Sequence, residues 1–279
     1  MIYLYSYAGL GNRIRSIISG LGLANDLNQK LTIFWKKDEA LNCSFFELFE
    51  RNPAFEVKRF NWVSKLLELG KTDRKIKRGL SKIIYWFLKV DFFMFDDDFK
   101  KYVWNNHDYI FHISTLPKRR RNIYISTCNE FYPGNNFLKL LRPNQELQQL
   151  ISGITSGFSN NIIGVHIRRT DHPKSIEESP LINFVLAMEK EMASDPSVTF
   201  YLATDDPLVE SDLLKRFPPI FFIRKKVHSR NDCRGIKDAM LDLYCLAKTK
   251  KIYGSFESSF SEIAARIGNI PLVIVRKDE

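Results

Sequence analysis

The sequence predicts an α/β chain built as two parallel-sheet domains, and three observations predict it. Residues 1–35 read strand, glycine turn, amphipathic helix, strand, the opening unit of a doubly wound sheet. From residue 162 onward apolar strands and helices alternate up to a last strand, LVIVRK, as in a parallel sheet covered on both faces. The length, 279 residues, exceeds one ordinary domain and suits two.

The first strand covers residues 2–7. AGLGN follows as a turn, and residues 13–28 carry Ile14, Ile17, Ile18, Leu21, Leu23, Ala24 and Leu27 at helical spacing before a second strand at 30–35. Gly9 and Gly11 leave room beside Asn12 at the helix N-terminus, where backbone N–H groups attract an anion. This is not a nicotinamide or flavin fingerprint, because Ile14 stands where the third glycine belongs.

Residues 45–95 are aromatic and basic. Lys71, Arg74, Lys75, Lys77, Arg78 and Lys82 precede IIYWFLKVDFFMF, a combination that suits peripheral contact with an anionic membrane through residues 71–95. The competing reading is a solvated helix running into a buried one. KRRR at 118–121 precedes a strand, NIYIST. The loop YPGNN and the partly helical 137–158 then lead into the second half, with the domain boundary near 145, giving domains 1–145 and 146–279. The second domain reads strand IIGVHIRR, loop to Pro180, helix LINFVLAMEKEMA, strand VTFYLATDD, helix LVESDLLKRF and strand IFFIRK. A loop, helix DAMLDLYCLAKT, strand KIYGS, helix FSEIAARIG and the last strand complete it.

At 44% hydrophobic and 27% charged the chain can bury a core and is not of disordered composition. A net charge of +10 favours polyanionic or phosphorylated partners. The four cysteines form no CxxC pair and no zinc spacing. The N-terminus lacks the basic start and long apolar run of a secretion signal, and no stretch has the ~18 apolar residues of a membrane span. The expected location is the cytoplasm, with any membrane contact peripheral, on the inner membrane.

Four places could carry chemistry. GVHIRRTD ends an apolar strand in two arginines. By strand alternation His166 and Arg168 share one face and Arg169 points to the other. Guanidiniums at a strand's carboxyl end suit a diphosphate, or form a solvated pair with Asp171 as ion partner. Asp205 and Asp206 end another strand. They suit a divalent cation, or Asp206 caps the helix that follows Pro207. Ser255, Ser258, Ser259 and Ser261 crowd a strand-to-helix turn. Ser259 with Glu262 fits a capping box, and the same hydroxyls and N–H groups suit phosphate. Asp242 sits on an apolar helix, where an acid ordinarily faces solvent. Facing a ligand, it would accept the paired N–H donors of a guanine edge.

GVHIRRTD, FYLATDDP and RGIKDAMLDLYCLAKTKKIYGSFESSFSEIAARIG, in this order and spacing, together resemble the donor-binding half of the α-1,6-fucosyltransferases, which include the nodulation fucosyltransferases. More loosely they resemble the wider α-1,2, α-1,6 and protein O-fucosyltransferase superfamily. The similarity covers residues 160–268, with a weaker match at GLGNR. The resemblance implies a GT-B-like fold, two Rossmann-type domains facing a central cleft, and an inverting, metal-independent transfer of L-fucose from GDP-β-L-fucose to a glycan hydroxyl. It implies no cofactor beyond that donor substrate, with the GDP-sugar and a glycan acceptor as partners and no nucleic acid. By motif position it implies that Arg168 holds the β-phosphate with Arg169 beside it. His166 and Asp242 fall near the guanosine, Ser258 on a phosphate, Asp205 and Asp206 on the paired acids that serve without metal, and Gly11 and Asn12 on the first loop. The catalytic set is Arg168 with a carboxylate base. The α-1,6 enzymes have lysine after RRTD where this chain has His172. Counting to their glutamate reaches Ile176, with Glu177 and Glu178 just beyond. Glu177 is the first candidate, and Asp171 and Glu178 are the rivals. The alternatives are the same fold using another GDP-sugar, or a non-catalytic nucleotide- or RNA-binding protein. Paired acids beside the site argue against a threaded polyanion.

Overall fold

A computed structural model describes residues 1–68, 86, 89–96, 98, 113, 122–170, 172–217, 220–221 and 226–277. The chain divides into two compact units, Met1–Arg142 and Pro143–Glu279, each a five-stranded parallel sheet with helices. This is the α/β architecture expected from the alternation.

In the first unit β1 (Ile2–Ser6), α1 (Leu10–Asp26) and β2 (Leu31–Trp35) form the expected βαβ. β3 (Phe55–Arg59), α2 (Trp62–Glu68), β4 (Val90–Phe95) and β5 (Asn122–Thr127) follow, in the sheet order β3-β2-β1-β5-β4. Every residue of β1 and β2 is buried, as in parallel strands covered on both sides. α1 begins ahead of the expected residue 13, with Gly9 as its N-cap. The turn's left-handed residue is Ala8, at φ 66, so neither glycine is there for backbone freedom. Gly11 and Asn12 instead lie in the first turn of α1, among the N–H groups a helix leaves unsatisfied.

Of the basic and aromatic run, residues 71–85 and 87–88 lie outside the described residues, as does KRRR. The described end of that run is β4. Its Val90, Phe92, Met94 and Phe95 are buried, so this part belongs to the sheet. Among the described residues no helix is long and apolar enough to cross a membrane.

The second unit contains α3 (Gln145–Thr155), β6 (Ile163–Ile167), α4 (Pro173–Glu178), α5 (Leu181–Ser194), β7 (Phe200–Thr204), α6 (Pro207–Arg216) and β8 (Ile220–Phe221). α7 (Cys233–Leu246), β9 (Ile252–Ser255), α8 (Ser259–Gly268) and β10 (Leu272–Val275) complete it. The sheet order is β10-β9-β6-β7-β8. The chain steps outward from β6 to β8, then crosses to the other side for β9 and β10. The order therefore reverses between β6 and β9, and ligands of such sheets sit at the carboxyl ends beside that reversal. Alternation along β6 decides what reaches it. Ile163, Val165 and Ile167 join the core of Phe184, Val185, Met188 and Phe200 on one face. Gly164 and His166 face α7 and α8. A Cβ on Gly164 would lie 2.9 Å from Leu246 and Thr249, so the glycine lets α7 close down on the strand.

Candidate functional site

The carboxyl ends of β6 and β9 are joined directly. The Arg168 backbone N–H donates to Ser255 Oγ at 3.0 Å, and Ser255 Oγ donates to the His166 carbonyl. α8 starts just beyond β9. Its approach depends on Gly254, where a Cβ would lie 2.7 Å from Ser261 Oγ. The N-cap of α8 is Ser258, one residue earlier than the expected capping box, and its side chain makes no cap bond. Glu262 instead pairs with Arg266 one turn along. Ser258 is 4% exposed, and its hydroxyl has no hydrogen-bond partner among the described residues. A buried hydroxyl ordinarily finds a partner. Here it sits at a helix N-terminus, where the partial positive charge favours an anion.

His166 points to the same side. Its ring stacks on Phe260 with centroids 4.8 Å apart, and Nδ1 lies 3.3 Å from Ser261 Oγ. Burial pushes the imidazole down to about 3, with Arg168, Lys226 and Arg230 adding to the effect and Asp205 opposing it. The ring is therefore neutral at physiological pH and serves as a stacked hydrogen-bonding group. Its folded pKa is below its unfolded value of about 6.5, so the unfolded chain binds the extra proton. Stability is thus retained above pH 6.5 and falls as pH drops toward 3, by up to about 1.4 kcal/mol per unit. Burial also raises Asp242 and Glu210, which act with opposite sign, so the difference between variant and wild type isolates the histidine. In His166→Gln the gap to wild type in urea midpoint should narrow steadily between pH 6.5 and 4. A constant gap across that range would show the ring is not held neutral by burial.

The two arginines stand just beyond the end of β6. Arg168 is half-buried at the strand end. The Arg169 side chain turns under α4, where Nη1 donates to the Ile176 carbonyl at 3.3 Å and Nη2 to the Ser179 carbonyl at 2.8 Å. Both of the paired acids are engaged by protein donors. Asp205 accepts from the Arg169 N–H at 2.7 Å and the Thr170 hydroxyl at 2.7 Å, fixing the loop after β6. Asp206 caps α6, accepting from the Leu208 N–H at 2.8 Å.

Asp242 is 3% exposed, contrary to the ordinary expectation of an acid facing solvent. It pairs with Lys226 and accepts from the Tyr201 hydroxyl at 2.9 Å. Lys226 Nζ also donates to the Thr204 carbonyl at 2.8 Å, so this ion pair ties the segment after β8 to the end of β7 and the side of α7. Sequence reasoning missed Lys226 because nothing in a loop lysine signals a buried partner sixteen positions on. It also read residues 172–180 as loop, whereas Pro173–Glu178 is a short helix with His172 Nδ1 accepting from the Ser175 N–H at 3.0 Å. Proline at the first helical position was the available signal. Glu177 lies on that helix with its side chain 72% exposed, 3.9 Å from Lys277 Nζ. Glu178 pairs with the same lysine at 3.0 Å. Asp171 lies outside the described residues.

In the first unit a further missed residue shapes the loop before Gly11 and Asn12. Arg13 is fully buried. Its guanidinium donates to the Ala8 carbonyl at 2.8 Å, the Lys36 carbonyl at 2.6 Å and Asp38 at 3.0 Å, and lies over the Trp35 ring. It holds Ala8 in its left-handed conformation and so sets the backbone entering α1.

No known protein-family profile matches the chain. Solved structures do resemble it. A NodZ α-1,6-fucosyltransferase soaked with GDP-fucose is 18% identical over 95% of this chain and 92% of that one, with a TM-score of 0.61. POFUT1 in complex with GDP-fucose is 12% identical over 98% and 97%, TM-score 0.55. A mutant of Arabidopsis thaliana FUT1 in complex with GDP is 14% identical over 99% of this chain and 70% of that one, TM-score 0.62. At these identities the likeness is one of fold: this chain has the fold of the fucosyltransferases.

Proposed function

We propose that this protein is an inverting fucosyltransferase that moves L-fucose from GDP-β-L-fucose to a glycan hydroxyl without a metal ion. The observation that carries the reading is the buried hydroxyl of Ser258, unpartnered among the described residues, at the N-terminus of α8 beside the strand end that bears Arg168. A diphosphate supplies what that place lacks, an acceptor for a hydroxyl and for N–H groups, with charge matched by a guanidinium. The nucleoside lies toward His166, whose neutral ring donates or accepts according to its tautomer. In the reaction the acceptor oxygen attacks the anomeric carbon as the bond to the β-phosphate oxygen breaks. The negative charge that grows on the diphosphate is stabilised by Arg168 and the α8 N-terminus, groups already in place. A carboxylate takes the acceptor's proton. Glu177 is the first candidate, since it is exposed on the helix that follows the Arg168 strand end. Gly11 and Asn12 lie in the first turn of α1, whose N–H groups would suit an anion in their own right. The use of Asp205 and Asp206 in loop fixing and capping favours a reaction without metal.

Thermal shift with GDP-fucose, GDP-mannose, UDP-glucose and short RNA tests the ligand class, and GDP release from GDP-fucose with galactosides, chitooligosaccharides and lipid-linked glycans tests the reaction. Stabilisation by GDP-fucose and turnover that persists in excess EDTA are expected. Stabilisation by RNA alone would refute the enzyme, stronger stabilisation by GDP-mannose would move the donor assignment, and EDTA loss restored by Mn²⁺ would show that metal is needed.

A further inference from the structure

α4 has six residues, too few to be stable alone, so both ends must be held from outside. His172 caps the start. At the other end the last carbonyls of a helix have no partner of their own. Two carbonyls there, of Ile176 and the C-cap Ser179, are taken by Nη1 and Nη2 of Arg169. Nη1 and Nη2 are thus both committed to protein carbonyls, and Nε is buried without a hydrogen-bond partner among the described residues. Its backbone N–H is fixed by Asp205. Ser179 is held again from its hydroxyl, which donates to the Val275 carbonyl and accepts from the Phe256 N–H at 2.8 Å. Glu177 and Glu178 ride on the helix so anchored.

We infer that Arg169 is a positioning residue: it does not bind the donor's diphosphate but holds the C-terminal carbonyls of α4, and so sets where Glu177 stands relative to the Arg168 strand end. The inference rests on the fucosyl-transfer reading for the meaning of Glu177, while the anchoring itself is independent of any ligand. The two adjacent arginines then divide the work. Arg168 meets the leaving group, and Arg169 places the base. Misplacing a reacting group by about 1 Å can cost about 100-fold in rate without touching ground-state binding.

The experiment compares wild type, Arg169→Lys and Arg169→Met in two measurements. In the ligand-free protein, amide exchange in residues 173–180 should speed up at least tenfold in Arg169→Met and less in Arg169→Lys, which can still reach one carbonyl. Exchange in β6 and α7 should be unchanged. By calorimetry GDP affinity should stay within about threefold while turnover falls 10- to 100-fold, and Glu177→Gln should show the same split between binding and rate. If Arg169→Met does not fold, Arg169→Lys carries both comparisons. Unchanged exchange in 173–180 with a tenfold or greater loss of GDP affinity would make Arg169 a phosphate ligand and overturn the inference. Wild type that binds no GDP would instead overturn the fucosyl-transfer reading, and faster exchange in the variants would still uphold the anchoring.

Discussion

Arg168→Ala should lose fucosyl transfer by roughly 100- to 1,000-fold, the cost of removing one preorganised donor to developing negative charge, while its melting temperature stays near wild type. The separation is expected because the backbone at this residue is held by its own N–H to Ser255 Oγ, which the substitution keeps. The side chain is half-buried and lies outside the apolar core cluster on the opposite face of β6. Arg168→Lys should recover part of the rate, because an ammonium supplies the charge but not the fork. Single-turnover GDP release, with enzyme in excess over GDP-fucose and acceptor saturating, is the measurement. A variant turning over at near wild-type speed would remove Arg168 from the reaction.

The largest effect on stability is expected at Lys226. Lys226→Met leaves the Asp242 carboxylate buried with Tyr201 as its remaining hydrogen-bond donor, and breaking a buried pair from one side costs about 3–5 kcal/mol. For a protein of this size that is a drop of very roughly 10 °C in melting temperature. Asp242 is already raised by burial, with Lys226 holding it down. Without the ammonium the carboxyl titrates higher still, so the variant's deficit should shrink as pH falls and the acid becomes neutral. Lys226→Met combined with Asp242→Leu should recover most of the loss, since an apolar pair of similar volume often replaces a buried ion pair at little cost. Urea unfolding of both variants at pH 5 and 8 would decide it. A loss below about 1 kcal/mol in the single variant would mean that the pair is effectively solvated.

How much of this was legible in the sequence depends on the range of the interaction. The βαβ opening and the alternation from β6 to β10 follow from local periodicity, and the structure has them. The cap at Asp206 was also readable, because an aspartate just before a proline, Pro207, is a local signal and its bond to the Leu208 N–H spans two residues. The use of Asp205 was not readable. Its partners, the Arg169 and Thr170 backbone and hydroxyl, lie on a different strand end. Lys226 and Asp242 meet only because α7 passes beneath the end of β7. Arg13 was hidden for the same reason, since two of its three partners come from the segment after β2. α4 failed differently: six residues with one apolar position, Ile176, carry too little periodicity to stand out from a loop.

The bond between the Arg168 N–H and Ser255 Oγ spans 87 residues, whereas that from Arg169 to Asp205 spans 36. Closing the longer loop is entropically dearer by (3/2)RT ln of the length ratio, under about 1 kcal/mol, and it brings β9 to β6 across the intervening β7, α6, β8 and α7; the expected order in refolding is β6–β7 first and β6–β9 after it. During refolding, long-range pairings of this kind form late. A chain that has recovered its helical signal and its β6–β7 pairing would therefore still lack the α8 N-terminus beside Arg168. On the proposed reading, competence to bind a diphosphate should then appear only once β9 and α8 have joined β6, and a ligand that binds there should stabilise only molecules that have reached that stage.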